Sequence, residues 1–462
     1  MTKYFWQIIL AISVTLGVFI RVYKIQTNYY FTGELGKELL YVKDLIAADK
    51  FPLVGLATSH EWLHYGPLYY WKLIPLVKIF GGSPFVLFWF ALAVSVAGLL
   101  ITYWVFSKTV GKKFAALTTL FISLSPLWIW ASRLSKLHVF FFVLIPLCIY
   151  FLHKIWQKDR GKMFWLGISY GMLFSFHFSQ LPMVVLFAFV FYLRRKILKF
   201  KDYSRFVLGI ILPNITVFIY DAGNGFEMIK NLFLWIPYRL LGFLHLYPKN
   251  NLTSVSAGTT LSAFNELFGR NLFWDNRLWI LGSLVFLIMY FSFFVQNRKK
   301  IFKDFFVFYL VFSTAIQCFA LVIHTSPPIH YFMPVYLNFA LLLSHFILKY
   351  SDRITVKILT PAIFVLLFVT GILSINFEHV NDTDYLPLKV QENVADYIIR
   401  DAKGEAFRLS RVGPYDYFPE TYNQNYKYLI LLKGGKVDPE AKTEYKLFEG
   451  GESVYVQRYD GN

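Results

Sequence analysis

The chain has 462 residues, 56% of them hydrophobic and 20% aromatic, with only 16% charged and a formal net charge of +18. Soluble domains carry roughly 25% charged residues, so this composition excludes an ordinary soluble protein. The basic excess falls in short clusters between long apolar runs, a pattern of membrane topology, and argues for the lipid bilayer and against nucleic acid as a partner.

A helix that crosses about 30 Å of hydrocarbon needs roughly 20 apolar residues. Eleven spans are predicted on this basis, near 4–24, 84–106, 113–131, 135–152, 163–178, 180–193, 205–221, 277–295, 305–323, 330–349 and 357–376. The fifth and sixth are short and closely joined. No small-residue cleavage site follows the first run and further spans do, so an uncleaved first helix is expected rather than a signal peptide. Cys148 and Cys318 both lie in apolar runs, which supports neither a disulfide framework nor a cysteine metal site.

Lys and Arg recur in every second loop: Lys108, Lys112 and Lys113; Lys154 to Lys162; Arg194 to Arg205; Arg298 to Lys303; and Lys349 to Lys357. The positive-inside rule puts these loops and the N-terminus in the cytoplasm, in a plasma (inner) membrane. The opposite face then receives loop 25–83, the turns near Ser132–Lys136, His177–Gln180 and His324–Ile329, loop 222–276, and the tail. Within loop 222–276, Asn231–Leu244 reads as interfacial because Pro237 and Arg239 interrupt it. The tail is predicted to hold an amphipathic helix, Leu388–Ala402, and strands at Ala406–Val412, Tyr426–Leu432, Glu444–Phe448 and Val454–Arg458. The expected organisation is an all-α polytopic membrane domain over 1–377 and a small α/β extracytoplasmic module over 378–462.

Loop 25–83 is longer than a connection requires, and it is rich in groups that do chemistry. Glu34 stands before a helical pattern through Leu39, Val42 and Leu45. It reads either as a charge favoured by the helix dipole or as a general base for an acceptor hydroxyl. Glu61 and His64 offer donors for a divalent metal ion, the one cofactor the residues suggest; the alternative is that His60 and His64 are interfacial histidines beside Trp62 and Tyr65. Gly66-Pro67 forces a bend, and Tyr69, Tyr70 and Trp71 suit a membrane interface.

Arg133 and Lys136 are cations on the outer side, against the topological bias, where they bind a phosphate or snorkel to headgroups. His138, His177 and His330-Tyr331 mark other helix ends on that face. Taken singly, these histidines read as interfacial; together they bring polar groups to one side of the membrane.

One span, a long first outer loop with an acid and a short helix, a Gly-Pro-Leu-Tyr-Tyr bend, many further spans and an outer tail resemble the polyprenyl-phosphate-sugar-dependent glycosyltransferases of the GT-C fold. Dolichyl-phosphate-mannose protein mannosyltransferases and bacterial lipid A aminoarabinose transferases are the nearest members. The resemblance covers about residues 1–350 and is most specific over 31–71. It implies that Glu34, where the family usually has Asp, is catalytic. It implies that Lys37 and Glu38 continue a Gly-basic-acid pattern, and that Tyr65, Gly66, Pro67, Tyr69 and Tyr70 shape an acceptor loop. His64 falls where some relatives place a metal ligand, with Glu61 beside it. Ser132-Arg133, Lys136, His177 and His330-Tyr331 are implied to meet the donor phosphate.

The implied reaction is inverting transfer of a sugar from a polyprenyl-phosphate donor to an acceptor hydroxyl or phosphate on the outer face. An outward site fits a lipid-linked donor, since nucleotide sugars are cytosolic. The one Asp-x-Asp triplet, Asp382-Thr383-Asp384, lies at the root of the tail. A transporter or flippase for a lipid-linked glycan would instead carry charges within its spans, and a non-catalytic scaffold would tolerate replacement of Glu34.

Overall fold

A computed structural model describes residues 4–29, 31–58, 60–243, 279–324, 327–381, 386–413, 423–450 and 453–461. Its membrane-type helices are α1 (Phe5–Val22), α5 (Phe85–Thr109), α6 (Lys112–Leu124), α7 (Pro126–Arg133), α8 (Phe141–Trp156), α9 (Met163–Phe176), α10 (Met183–Leu193), α11 (Phe200–Ile211), α12 (Ile215–Gly223), α13 (Glu227–Phe243), α14 (Trp279–Asn297), α15 (Phe305–His324), α16 (Met333–Lys349) and α17 (Ile354–Asn381). The first loop holds α2 (Ile25–Asn28), α3 (Gly33–Ala47) and α4 (Leu68–Phe80), and the tail α18 (Leu388–Ala402) and α19 (Gln424–Leu432).

Each of the eleven predicted runs contains a helix. Among the described residues, seven helices are long and apolar enough to cross a membrane by length and composition, or eight with the α6–α7 pair counted as one span. That pair bends by 60°, because Ser125 is extended ahead of Pro126 and caps α7 through its Oγ on the Trp128 N–H at 3.4 Å. The 14-residue α9 and the 11-residue α10 are both shorter than a full crossing needs. The protein is thus a multi-pass membrane protein. Asn231–Phe243 is helical within α13; Leu244, most of the remainder of that loop, and Asp382-Thr383-Asp384 lie outside the described residues.

Internal contacts divide the chain into two compact units. One comprises Met1–Ile20, Leu53–Tyr69 and Ala91–Gly371. Its helices bury aromatic and aliphatic side chains and join through small polar groups: Thr118 on α6 donates to Ser344 on α16 at 3.0 Å, and Asn338 on α16 donates to Ser313 on α15 at 3.1 Å.

The other unit comprises Arg21–Pro52, Tyr70–Phe90 and Ile372–Asn462. Its sheet runs β1 (Arg408–Val412), β2 (Thr443–Gly450), β3 (Ser453–Asp460), with β1 parallel to β2 and β3 antiparallel to it. Three of the predicted strands and the helix Leu388–Ala402 are present. The fourth predicted strand, Tyr426–Leu432, is instead helix α19. A short run of Leu and Ile does not distinguish strand from helix by pattern. Tertiary packing decides: Tyr426, Leu429 and Ile430 fall on one helical face and are buried, and α19 packs along α3. The crossing is close enough that a Cβ on Gly36 would collide with the backbone of Gln424 and Asn425.

Candidate functional site

Three histidines from separate segments meet in the larger unit. His138 stands in the 3-10 turn Leu137–Phe140 that leads into α8. His177 ends α9 in an extended conformation and caps the next 3-10 turn, its Nδ1 accepting the Ser179 N–H at 3.1 Å. His330 lies in the 3-10 turn Ile329–Phe332 before α16. One ring nitrogen from each lies within 4.8 Å of those of the other two. His177 Nε2 is 3.1 Å from His330 Nε2 and 3.0 Å from the Tyr65 hydroxyl. The His138 and His330 rings stack at 3.7 Å, and Tyr331 meets His177 edge-on at 5.2 Å.

Tyr65 reaches His177 because the Gly66-Pro67 bend is docked on the end of α9. The Gly66 N–H donates to the Ser175 carbonyl at 2.8 Å, and a Cβ at 66 would collide with the Ser175 hydroxyl. Burial raises the Tyr65 phenol above its ordinary range, so Tyr65 remains a neutral O–H.

Arg133, buried, closes the last turn of α7, and α7 packs against the His330 turn; Lys136, half-buried, follows three residues later. The pair Glu61 and His64 is not joined: Glu61 is exposed, and the His64 ring packs edge-on against Tyr220 at 5.7 Å. Burial lowers the basicity of His64. Among the described residues the grouped metal-type donors are His138, His177 and His330, with no carboxylate among them.

The acid lies in the other unit. Thr32 caps α3 by accepting the Leu35 N–H at 3.3 Å, which places half-buried Glu34 in the first turn, where the helix dipole favours a carboxylate. Lys37 is exposed and Glu38 is buried. The strand-like approach to the cap is gripped from the tail: the Phe31 carbonyl accepts Gln391 Nε2 at 3.0 Å and Asn425 Nδ2 at 3.5 Å, and Asn425 also donates to Gln391 Oε1 at 2.9 Å. Tyr69 and Tyr70 are buried in their respective units rather than set in a lipid-facing belt. Tyr70 meets Tyr41 at 4.8 Å, and burial pulls Lys72 down to about 7 although Glu38 opposes the shift.

Of the residues read from the sequence, Tyr65, His177, His330 and Tyr331 come together. His138 completes that cluster and was not assigned a role from sequence. Its signal is that it stands, like His177 and His330, at a helix end on the same predicted face.

The chain shares its fold with solved structures to which it is 11–13% identical. It is similar over 97% of its length, and over 93% of the other chain, to ArnT from Cupriavidus metallidurans bound to undecaprenyl phosphate, at 11% identity and a TM-score of 0.60. The Archaeoglobus fulgidus oligosaccharyltransferase matches over 94% of this chain and 64% of its own, at 11% identity and a TM-score of 0.56. A complex of that protein with Zn and sulfate matches over 93% and 62%, at 13% identity and a TM-score of 0.54. The chain therefore spans just under two thirds of the archaeal enzyme. Residues 64–220 match the family model of dolichyl-phosphate-mannose-protein mannosyltransferase. No curated protein matches the sequence.

Proposed function

We propose that this protein is a membrane glycosyltransferase that moves a hexosyl or pentosyl group from a polyprenyl-phosphate donor to an acceptor, a protein, lipid or cell-surface glycan, on the extracytoplasmic face. The observation that carries this reading is the mannosyltransferase family match over 64–220, the stretch that contains the Gly66-Pro67 bend, Arg133, His138 and His177. The fold shared with a protein bound to undecaprenyl phosphate supports the donor class.

In this reading Glu34 takes the proton of the acceptor hydroxyl. The hydroxyl oxygen attacks the anomeric carbon, the bond from that carbon to the phosphate oxygen breaks with inversion, and polyprenyl phosphate leaves. Arg133, Lys136, His177, His330 and Tyr331 stabilise the charge that develops on the phosphate. Exposed Lys37 meets the acceptor; Glu38, Tyr65, Gly66, Pro67, Tyr69 and Tyr70 hold the loop in shape. No step is routed through a metal at Glu61 and His64. The membrane domain spans 1–377 and the module 378–462, with the N-terminus cytoplasmic and the module outside the plasma membrane; the positive-inside pattern supports that orientation.

The test is sugar release from a panel of radiolabelled polyprenyl-phosphate sugars by purified protein in lipid, beside a Glu34→Gln form. Turnover of one donor that collapses in the variant supports the reading. Folded protein that consumes no donor would sink it and favour a transporter or scaffold.

A further inference from the structure

We propose that the His138–His177–His330 cluster is a metal-free cradle that donates hydrogen bonds to an oxyanion, a phosphate monoester being the class of ligand. The inference deepens the donor assignment above and rests on it for the identity of the phosphate.

By spacing alone the cluster resembles a metal site, so the donor chemistry must decide. A neutral histidine that ligates through one nitrogen keeps its proton on the other, and that N–H points to an acceptor. His177 is arranged the opposite way. Its Nδ1 accepts the backbone N–H of Ser179, so Nδ1 carries the lone pair and Nε2 the proton. Nε2 is the nitrogen that faces Tyr65 and His330. It is therefore a donor, and the ring would have to abandon the Ser179 N–H in order to ligate. The set does not fit a resident metal ion.

The same geometry suits an anion. His177 Nε2–H has two acceptors in reach, the Tyr65 oxygen and His330 Nε2. With His330 accepting, its proton is on Nδ1, and the neutral Tyr65 phenol keeps an O–H to give. His138, 6% exposed, has a buried Nδ1 that meets no hydrogen-bond partner among the described residues; a buried polar atom of this kind calls for a partner. Buried Arg133 ends α7, which packs on the His330 turn.

The experiment uses full-length protein in lipid nanodiscs with 15N-labelled histidine. The protein is incubated with zinc, desalted and assayed for bound metal, and its histidine nitrogens are read by solid-state NMR before and after addition of inorganic phosphate or a short-chain prenyl phosphate. The His177 signals are those missing in His177→Leu. The expected result is a protonated Nε2 and an unprotonated Nδ1 on His177, unchanged by zinc or chelator and shifted by prenyl phosphate. His177→Gln, which keeps a side-chain N–H, should hold prenyl phosphate within a few-fold. His177→Leu should weaken it by about tenfold or more, as expected for a lost hydrogen bond to a charged group.

Stoichiometric zinc, an Nδ1-protonated His177, or no response to either phosphate would overturn the proposal, and the zinc and phosphate readings need no folded variant. A response to inorganic phosphate alone would keep the cradle and remove the lipid donor, so failure of the transferase reading is separable from failure of this one.

Discussion

Glu34 and the histidine cluster are held by different kinds of structure. The approach to the acid's helix is fixed by side chains far away in sequence, Gln391 and Asn425 reaching the Phe31 carbonyl across separations of 360 and 394 residues. Close backbone contact at Gly36 leaves that helix little freedom to shift. The histidines stand at helix ends and in 3-10 turns, and their hydrogen bonds run chiefly between rings whose donor and acceptor roles follow from where protons sit. The first arrangement keeps a carboxylate in place. The second is marked by the buried His138 Nδ1, which meets no partner among the described residues.

The comparison can be broken most severely at Glu34. Glu34→Gln should lower kcat by about 10²- to 10⁴-fold, the range of general-base catalysis, with little change in donor affinity; single-turnover kinetics with labelled donor would read it. A similar loss in donor binding would mean that the two regions do not divide the work. His330→Ala should do the reverse. It should weaken prenyl-phosphate binding by about 10- to 100-fold, the worth of one or two hydrogen bonds to a charged group, and leave the pH profile of the acid intact in a rate assay.

Asn425→Leu should destabilise the unit that holds α3 by about 1–3 kcal/mol, because Gln391 loses a buried partner. Calorimetry would show the loss, and activity should fall with the folded fraction while zinc content and histidine signals of surviving protein stay unchanged. The smallest effect concerns Lys72, held near 7 by burial against an ordinary value of 10.5. Between pH 7 and 9 the unfolded chain keeps this proton while the folded chain sheds it, so stability should rise with pH through that window. Lys72→Met should flatten the rise in a melting series.

The helices of the membrane domain were legible in the sequence because long apolar runs have few other solutions in lipid. The bounds of Leu388–Ala402 were legible because its apolar face repeats at helical spacing. Tyr426–Leu432 was misread because its neighbour, α3, is hundreds of residues away and no local pattern reports it. For the same reason Gly36 read as part of a short motif, when its small size serves the crossing with α19. In the site, the places of Glu34 at a helix start and of His177 at a helix end were legible. His138 was not, since its meaning depends on two rings contributed from elsewhere in the chain.

The grip on the Phe31 carbonyl also sets a timetable for biogenesis. Its two partners are made 360 and 394 residues after Phe31, long after the first span can enter the bilayer. A message cut short before codon 391 would still specify many apolar helices and every histidine of the cluster, yet it would leave the approach to Glu34 without its clamp. Premature termination should therefore give a protein that accumulates in the membrane and transfers nothing. Synthesis through Asn425 completes the grip on the Phe31 carbonyl.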